Sequence, residues 1–133
     1  MKKIIVNGTF DILHYGHVAM LNYAKSLGDH LLVCIDSDER IAELKGESRP
    51  IKLMTERKYL LESLKAVDQV QVFVSDQDLR DILAAYRPDV MVKGSDYKNQ
   101  PIVGSELCPH IVFFDRIEQY STTKTIENIN NRK

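Results

Sequence analysis

Tryptophan is absent from this 133-residue chain, and cysteine, proline and glycine are sparse, at two, four and six residues. Cys34 and Cys108 lie far apart with no C-x-x-C spacing. That argues against a disulfide framework or a thiolate metal site, and each cysteine reads as a small buried apolar residue. Neither sign of charge dominates: 18 Lys and Arg face 19 Asp and Glu, a net charge of −1. This balance argues against a protein that coats nucleic acid or an anionic membrane. No apolar run reaches the ~18 residues of a membrane span. Met1-Lys2-Lys3 leads directly into a strand-like segment rather than a signal-peptide core. There is no repeat, low-complexity stretch or linker. The apolar share of 44% suffices to bury a core. The expectation is one soluble, cytoplasmic domain over residues 1–133.

Short β-branched runs alternate with helical patterns, the sign of a parallel sheet with crossover helices. Ile4–Val6, Leu31–Ile35, Val70–Val74, Val90–Val92 and Ile111–Phe114 are the strand candidates. Val18, Leu21, Ala24 and Leu27 recur at helical spacing, with Gly28 as a C′ stop. Asp38 to Leu44 reads as a short helix. Thr55 is the expected N-cap of a helix whose apolar face is Leu60, Leu61, Leu64 and Val67. Leu79, Ile82, Leu83 and Tyr86 mark another helix, stopped before Pro88, and a last one is expected from near Ser121. Right-handed crossovers make this an α/β fold: a single doubly wound, Rossmann-like five-stranded parallel sheet with helices on both faces. The ligand crevice then belongs to the loops after residues 6, 35, 74, 93 and 114.

The loop from Asn7 to His17 is the most informative. Gly8 permits a tight exit from the strand, and Gly16 removes a side chain where a helix begins, so an anion can approach backbone N–H groups. His14 and His17, three apart, can face the same way and suit hydrogen bonding to phosphate oxygens. Capping or surface roles are the blander alternatives. Zinc is the weaker idea, because no further Cys, His or carboxylate cluster completes a ligand set, and no metal-ligating residues are assigned. The spacing of Gly8 and Gly16 fits neither a Walker A loop nor G-x-G-x-x-G.

Gly8-Thr9-Phe10-Asp11 followed by His14-Tyr15-Gly16-His17 resembles the GTFD and HxGH signature of the cytidylyltransferase-like nucleotidyltransferases. Arg116 to Lys124 looks like that family's R-T-E-G-I-S-T-T-K segment, with Gln119 where the pattern has Gly. On their own, Ser121, Thr122 and Thr123 read as the cap of a C-terminal helix; a second helix start facing the same crevice makes a triphosphate bridge the better explanation. Lys45-Gly46-Glu47-Ser48-Arg49-Pro50 resembles the K-G-x-x-R-P segment of the adenylyltransferase domain of ADP-heptose synthases. Arg87-Pro88-Asp89-Val90-Met91-Val92-Lys93-Gly94-Ser95-Asp96-Tyr97 resembles that group's R-P-D-V-x-V-K-G-G-D-Y, Ser95 replacing a Gly. The basic stretch from Lys45 to Lys58 is in part a solvated surface, as for Lys52 and Lys58.

The resemblance implies a nucleotidyltransferase in which an acceptor phosphate oxygen attacks the α-phosphorus of an NTP and pyrophosphate leaves. Mg²⁺ is carried with the NTP. His14 and His17 would contact the α- and β-phosphates, and Lys45 would anchor the acceptor phosphate. Arg57, Arg116 and the Ser121–Thr123 segment would hold the pyrophosphate half. Gly8, Thr9, Phe10, Asp11 and Gly16 belong to the nucleotide loop, Asp11 orienting it beside the acceptor. Lys93, Gly94 and Asp96 would touch the nucleoside. A cation as early in its helix as Arg57 opposes the helix dipole, which points to a function for it. ATP is favoured over CTP, and D-glycero-heptose 1-phosphate is the expected small phosphorylated substrate, giving ADP-heptose. CTP:glycerol-3-phosphate cytidylyltransferase is the main alternative. A non-catalytic nucleotide-binding module ranks lower, and an aminoacyl-tRNA synthetase is disfavoured by length and acidity. Neither nucleic acid nor membrane is an expected partner; relatives of this kind are commonly homodimers.

Overall fold

A computed structural model describes residues 1–115 of the chain, and the expected last helix lies outside them. Five parallel strands, β1 (Lys3–Gly8), β2 (His30–Asp36), β3 (Gln69–Phe73), β4 (Val90–Gly94) and β5 (His110–Phe114), form one sheet in the order β3-β2-β1-β4-β5. The helices among these residues are α1 (Tyr15–Ser26), α2 (Asp38–Lys45), α3 (Met54–Glu62) and α4 (Asp76–Tyr86), with two short 3₁₀ turns at Ser95–Tyr97 and Ser105–Leu107. This is the doubly wound sheet the alternating pattern predicts.

The central strands carry unbroken apolar runs, Ile4–Val6, Leu31–Ile35 and Val90–Val92, because both their faces are covered there. Alternation along each strand sends successive residues to opposite sides. Ile4, Val6, Leu31, Val33 and Ile35 pack with Leu21 and Ala24 of α1 and Leu61 of α3. Ile5, Leu32, Cys34 and Met91 pack with Leu79 and Leu83 of α4 on the other face. Each Val, Leu, Ile or Met among them contributes about 1.5–3 kcal/mol on full burial.

Local chemistry sets most helix starts, and three details differ from the sequence reading. The Ser37 and Ser75 hydroxyls cap α2 and α4, accepting from the N–H groups of Arg40 and Asp78 at 3.2 and 3.0 Å. Thr55, the expected cap of α3, lies inside the helix, whose N-cap is Leu53 without a side-chain cap. Its entry is fixed instead by the preceding loop, which is tied to Asp11 through the N–H groups of Ile51 and Lys52. Leu64 and Val67 lie beyond the end of α3 at Glu62, yet still pack on the core. Gly28 follows α1 as expected, but not as a left-handed cap. A Cβ there would lie 2.8 Å from the Lys2 carbonyl oxygen and 2.9 Å from Ile4 Cδ1. Close packing, not a positive φ, requires the glycine.

The sheet opens where its winding reverses. Strands β1 and β2 are in register from Lys3↔His30 to Gly8↔Ile35. By contrast, β1 and β4 pair at Ile4↔Val90 and Ile5↔Met91. Beyond that point the two strands part toward their carboxyl ends, leaving a crevice at the topological switch, where open α/β sheets bind ligands.

Candidate functional site

That crevice is a cleft of about 490 Å³. Carboxyl ends of all five strands reach it, through Gly8, Asp36, Phe73, Gly94 and Phe114. Of the sequence-predicted residues, Gly8, Thr9, Phe10, His14, Gly16, His17, Lys45, Lys93, Gly94 and Asp96 border it. Arg116, Ser121, Thr122 and Thr123 lie outside the described residues.

His14 is the N-cap of α1. Its ring stacks on that of His17, with centroids 3.7 Å apart and 21° between planes. The His14 backbone N–H donates to His17 Nδ1 at 3.3 Å. An accepting Nδ1 puts the proton of the neutral imidazole on Nε2, so His17 offers an N–H donor from its other nitrogen. Phe10 braces the pair, its ring meeting that of His17 edge-on at 5.0 Å. Phe10 is itself buried and sits at φ 48, a left-handed conformation that is uncommon for a bulky residue. The ring lies over Gly8, where a Cβ would approach Phe10 Cε2 to 3.1 Å. Gly8 is therefore the partner of a ring as much as a strand exit.

Two residues expected at the ligand are placed elsewhere. Asp11 is fully buried and does not border the cleft. Its carboxylate accepts from the N–H groups of Ile51 and Lys52, both at 2.9 Å, and from Arg49 Nε at 2.8 Å. Burial pushes this carboxyl up, but the two backbone donors and the Arg49 guanidinium outweigh it and hold the group below the usual carboxylate range. Asp11 thus ties the first loop to the segment that precedes α3, and it lies off the cleft wall. Arg57 is also buried and away from the cleft. It donates to the carbonyl oxygens of Thr9 and Lys52, at 2.9 and 3.1 Å, and pairs with Asp38 at 2.8 Å. Those bonds answer why a cation sits early in α3: it ties α3 and α2 to the first loop.

The cleft's cations are lysines. Lys45 ends α2; partial desolvation of its ammonium and the nearby Arg49 lower its pKa, partly countered by Asp36 and Asp11. Lys93 is buried, its Nζ 4.2 Å from the centroid of the Tyr97 ring. Burial lowers its pKa while Asp36 and Asp96 favour its charge. Gly94 makes room for Asp96, since a Cβ there would lie 2.7 Å from Asp96 Oδ1. Among the described residues no group of three or more His, Cys, Asp or Glu is arranged to hold a metal ion. No helix among them is long and apolar enough to cross a membrane.

Asn7, Asp36 and Arg40 also line the cleft, and the sequence reading did not single them out. A signal was present: each of three apolar runs, Ile4–Val6, Leu31–Ile35 and Val90–Val92, is followed at once by a polar side chain, Asn7, Asp36 or Lys93.

The family described as "Cytidylyltransferase-like" matches residues 5–128. The chain is 44% identical over 132 residues to "Bifunctional protein HldE" of Helicobacter hepaticus, covering 99% of this chain and 27% of that protein. It is 43% identical over 133 residues to the protein of the same name from Campylobacter jejuni, covering 99% and 29%. The chain thus spans little more than a quarter of the curated relatives it matches. A crystal structure of the lipopolysaccharide core biosynthesis protein from Thermoplasma volcanium superposes with a TM-score of 0.72 at 28% identity, over 91% of this chain and 99% of that one.

Proposed function

The chain belongs to the cytidylyltransferase-like family, and from that premise we propose that it joins an NMP from an NTP to a small phosphorylated substrate. ATP and D-glycero-heptose 1-phosphate are the proposed pair, giving ADP-heptose and pyrophosphate. The observation that carries this reading is the convergence of His14, His17, Lys45 and Lys93 on one cleft at the switch point of the sheet. The near end-to-end match to HldE proteins supports it further. So does the position of Lys93, Gly94 and Asp96, the segment that resembles ADP-heptose synthases, on the cleft wall.

An acceptor phosphate oxygen forms a bond to the α-phosphorus as the bond to the pyrophosphate oxygen breaks, and pyrophosphate departs with the electron pair. No protein nucleophile takes part, so catalysis is positioning and charge stabilisation. Lys45 anchors the acceptor phosphate. His17, through Nε2–H, and the stacked His14 ring contact the α- and β-phosphates as charge grows on the leaving oxygen. Lys93, Gly94 and Asp96 hold the nucleoside, and Arg116 with Ser121–Thr123 hold the pyrophosphate half. Magnesium enters as part of the Mg–NTP substrate.

Pyrophosphate release, followed with ATP or CTP against heptose 1-phosphate and glycerol 3-phosphate, tests the reading. Turnover of ATP with the heptose phosphate is expected. Turnover of CTP with glycerol 3-phosphate would assign the chain to the alternative substrates, and tight NTP binding with no pyrophosphate from either acceptor would make it a binding module.

A further inference from the structure

Three adjacent strands deliver polar side chains to one side of the cleft. Ile5, Cys34 and Met91 face the α4 side of the sheet. Two residues further along the same strands, Asn7, Asp36 and Lys93 face that side as well. All three line the cleft, forming a polar row above the apolar layer.

The bonding of this row is incomplete. Asp36 Oδ1 accepts from Arg40 Nε at 2.8 Å, and the Arg40 guanidinium also reaches Asp76 Oδ1 at 2.6 Å and lies over the Phe73 ring. Arg40 is therefore held by two carboxylates and is a poor phosphate anchor. Among the described residues nothing donates to Asp36 Oδ2. The same is true of Asn7 Oδ1, which is shielded from solvent. A polar atom buried without a partner is costly and marks a place where a ligand group completes the bonding.

The chemistry of the row selects that ligand group. A carboxylate repels phosphate and accepts hydrogen bonds, and an amide both accepts and donates. Hydroxyl groups, which donate and accept, match both. Asp36 and Lys45 line the same cleft, and Asp36 favours that lysine's charge, so the row shares the cleft with the group assigned to the acceptor phosphate. We propose that Asp36 and Asn7 are specificity-determining residues that bind neighbouring hydroxyls on the carbon chain of a polyhydroxylated phosphate acceptor. The proposal deepens the reading above and rests on its assignment of Lys45.

The test is titration calorimetry of the chain with heptose 1-phosphate, glycerol 3-phosphate and ethyl phosphate, together with an unreactive ATP analogue. The wild-type protein should bind a hydroxylated phosphate at least about ten-fold more tightly than ethyl phosphate, the scale of hydrogen bonds to charged or buried polar groups. Asp36→Asn and Asn7→Ala should each erase most of that preference, leaving ethyl phosphate and ATP-analogue affinities unchanged. Absence of the wild-type preference, which is measured without any substitution, would overturn the proposal. So would an equal loss for ethyl phosphate in the variants. A preserved preference in a protein that releases no pyrophosphate would defeat the proposed reaction while leaving these two residues in their role.

Discussion

The Arg57 guanidinium, sealed inside the protein, donates to the Thr9 carbonyl oxygen at 2.9 Å and so connects α3 to the loop that carries the histidines. Removing it leaves the Thr9 and Lys52 carbonyls without this donor and Asp38 without its cation. Arg57→Ala should therefore lower the unfolding free energy by about 2–3 kcal/mol, since it deletes a buried guanidinium and leaves two carbonyls without their donor, while the partly exposed Asp38 can turn to water. Arg57→Lys keeps the charge but lacks the planar fork that reaches three acceptors, so it should also destabilise. Urea denaturation measures both. An unchanged midpoint with a raised KM for the NTP would instead return Arg57 to phosphate binding.

His17 combines two roles that substitution can separate. Its Nδ1 accepts from the His14 N–H at the start of α1, and the residue lines the cleft. His17→Asn places an amide oxygen near the Nδ1 position, preserving the cap and the melting temperature, while kcat should fall ~10²–10³-fold, the cost of one preorganised donor. His17→Gln restores a donor near the Nε2 position and should recover part of kcat. Equal activity in the Asn variant and the wild type would show that His17 caps a helix and nothing more.

The parallel sheet was legible because β-branched runs alternated with helical spacing, and most strand centres follow from composition alone. The histidines were legible because Gly8 and Gly16 accompany them between β1 and the first turn of α1, and Lys45 and Lys93 because their segments resemble those of a known family. Side-chain direction was not. Asp11 and Arg57 sit in motifs that read as ligand contacts, yet both turn inward, a choice made by Ile51, Lys52, Thr9 and Asp38, which are distant in sequence from one or the other. Asn7 and Asp36 were not legible for the opposite reason. Each is one polar residue at the end of an apolar run, and only the register of β1, β2 and β4 shows that they share a face.

Asp11 gives the fold an acid limit. Its carboxyl is held below the usual range in the folded state, so the unfolded chain takes up the proton first as pH falls. The stabilisation is complete above about pH 4, the ordinary aspartate value, and is lost as pH drops through the lower folded value. Asp11→Asn should flatten the stability profile in that acid window. At neutral pH it should cost on the order of 3 kcal/mol, since Arg49 loses its buried partner. Chemical denaturation at a series of acidic pH values checks the slope; an unaltered slope would mean that Asp11 does not control it.

Gly28 separates two explanations by the order of its substitutions. A left-handed cap tolerates asparagine better than alanine. Close packing against Lys2 and Ile4 ranks by size instead, so Gly28→Ala should cost about 1–3 kcal/mol and Gly28→Asn more. Thermal melts of the two variants decide between the orders.

Lys93 carries a conflict between stability and the site. Burial lowers its pKa, with Asp36 and Asp96 only partly compensating, so its charge opposes folding below the folded pKa. That opposition disappears as pH rises from the folded value toward the ordinary lysine value, so this group alone makes stability increase with pH across that alkaline window. Lys93→Met, which keeps the stem and removes the charge, should leave the chain as stable or more stable at neutral pH, by on the order of 1 kcal/mol. The same substitution should remove a cation from the cleft wall, raise the NTP KM and abolish the alkaline rise in stability. A variant that lost stability and kept its KM would instead make Lys93 a structural residue held by the Tyr97 ring.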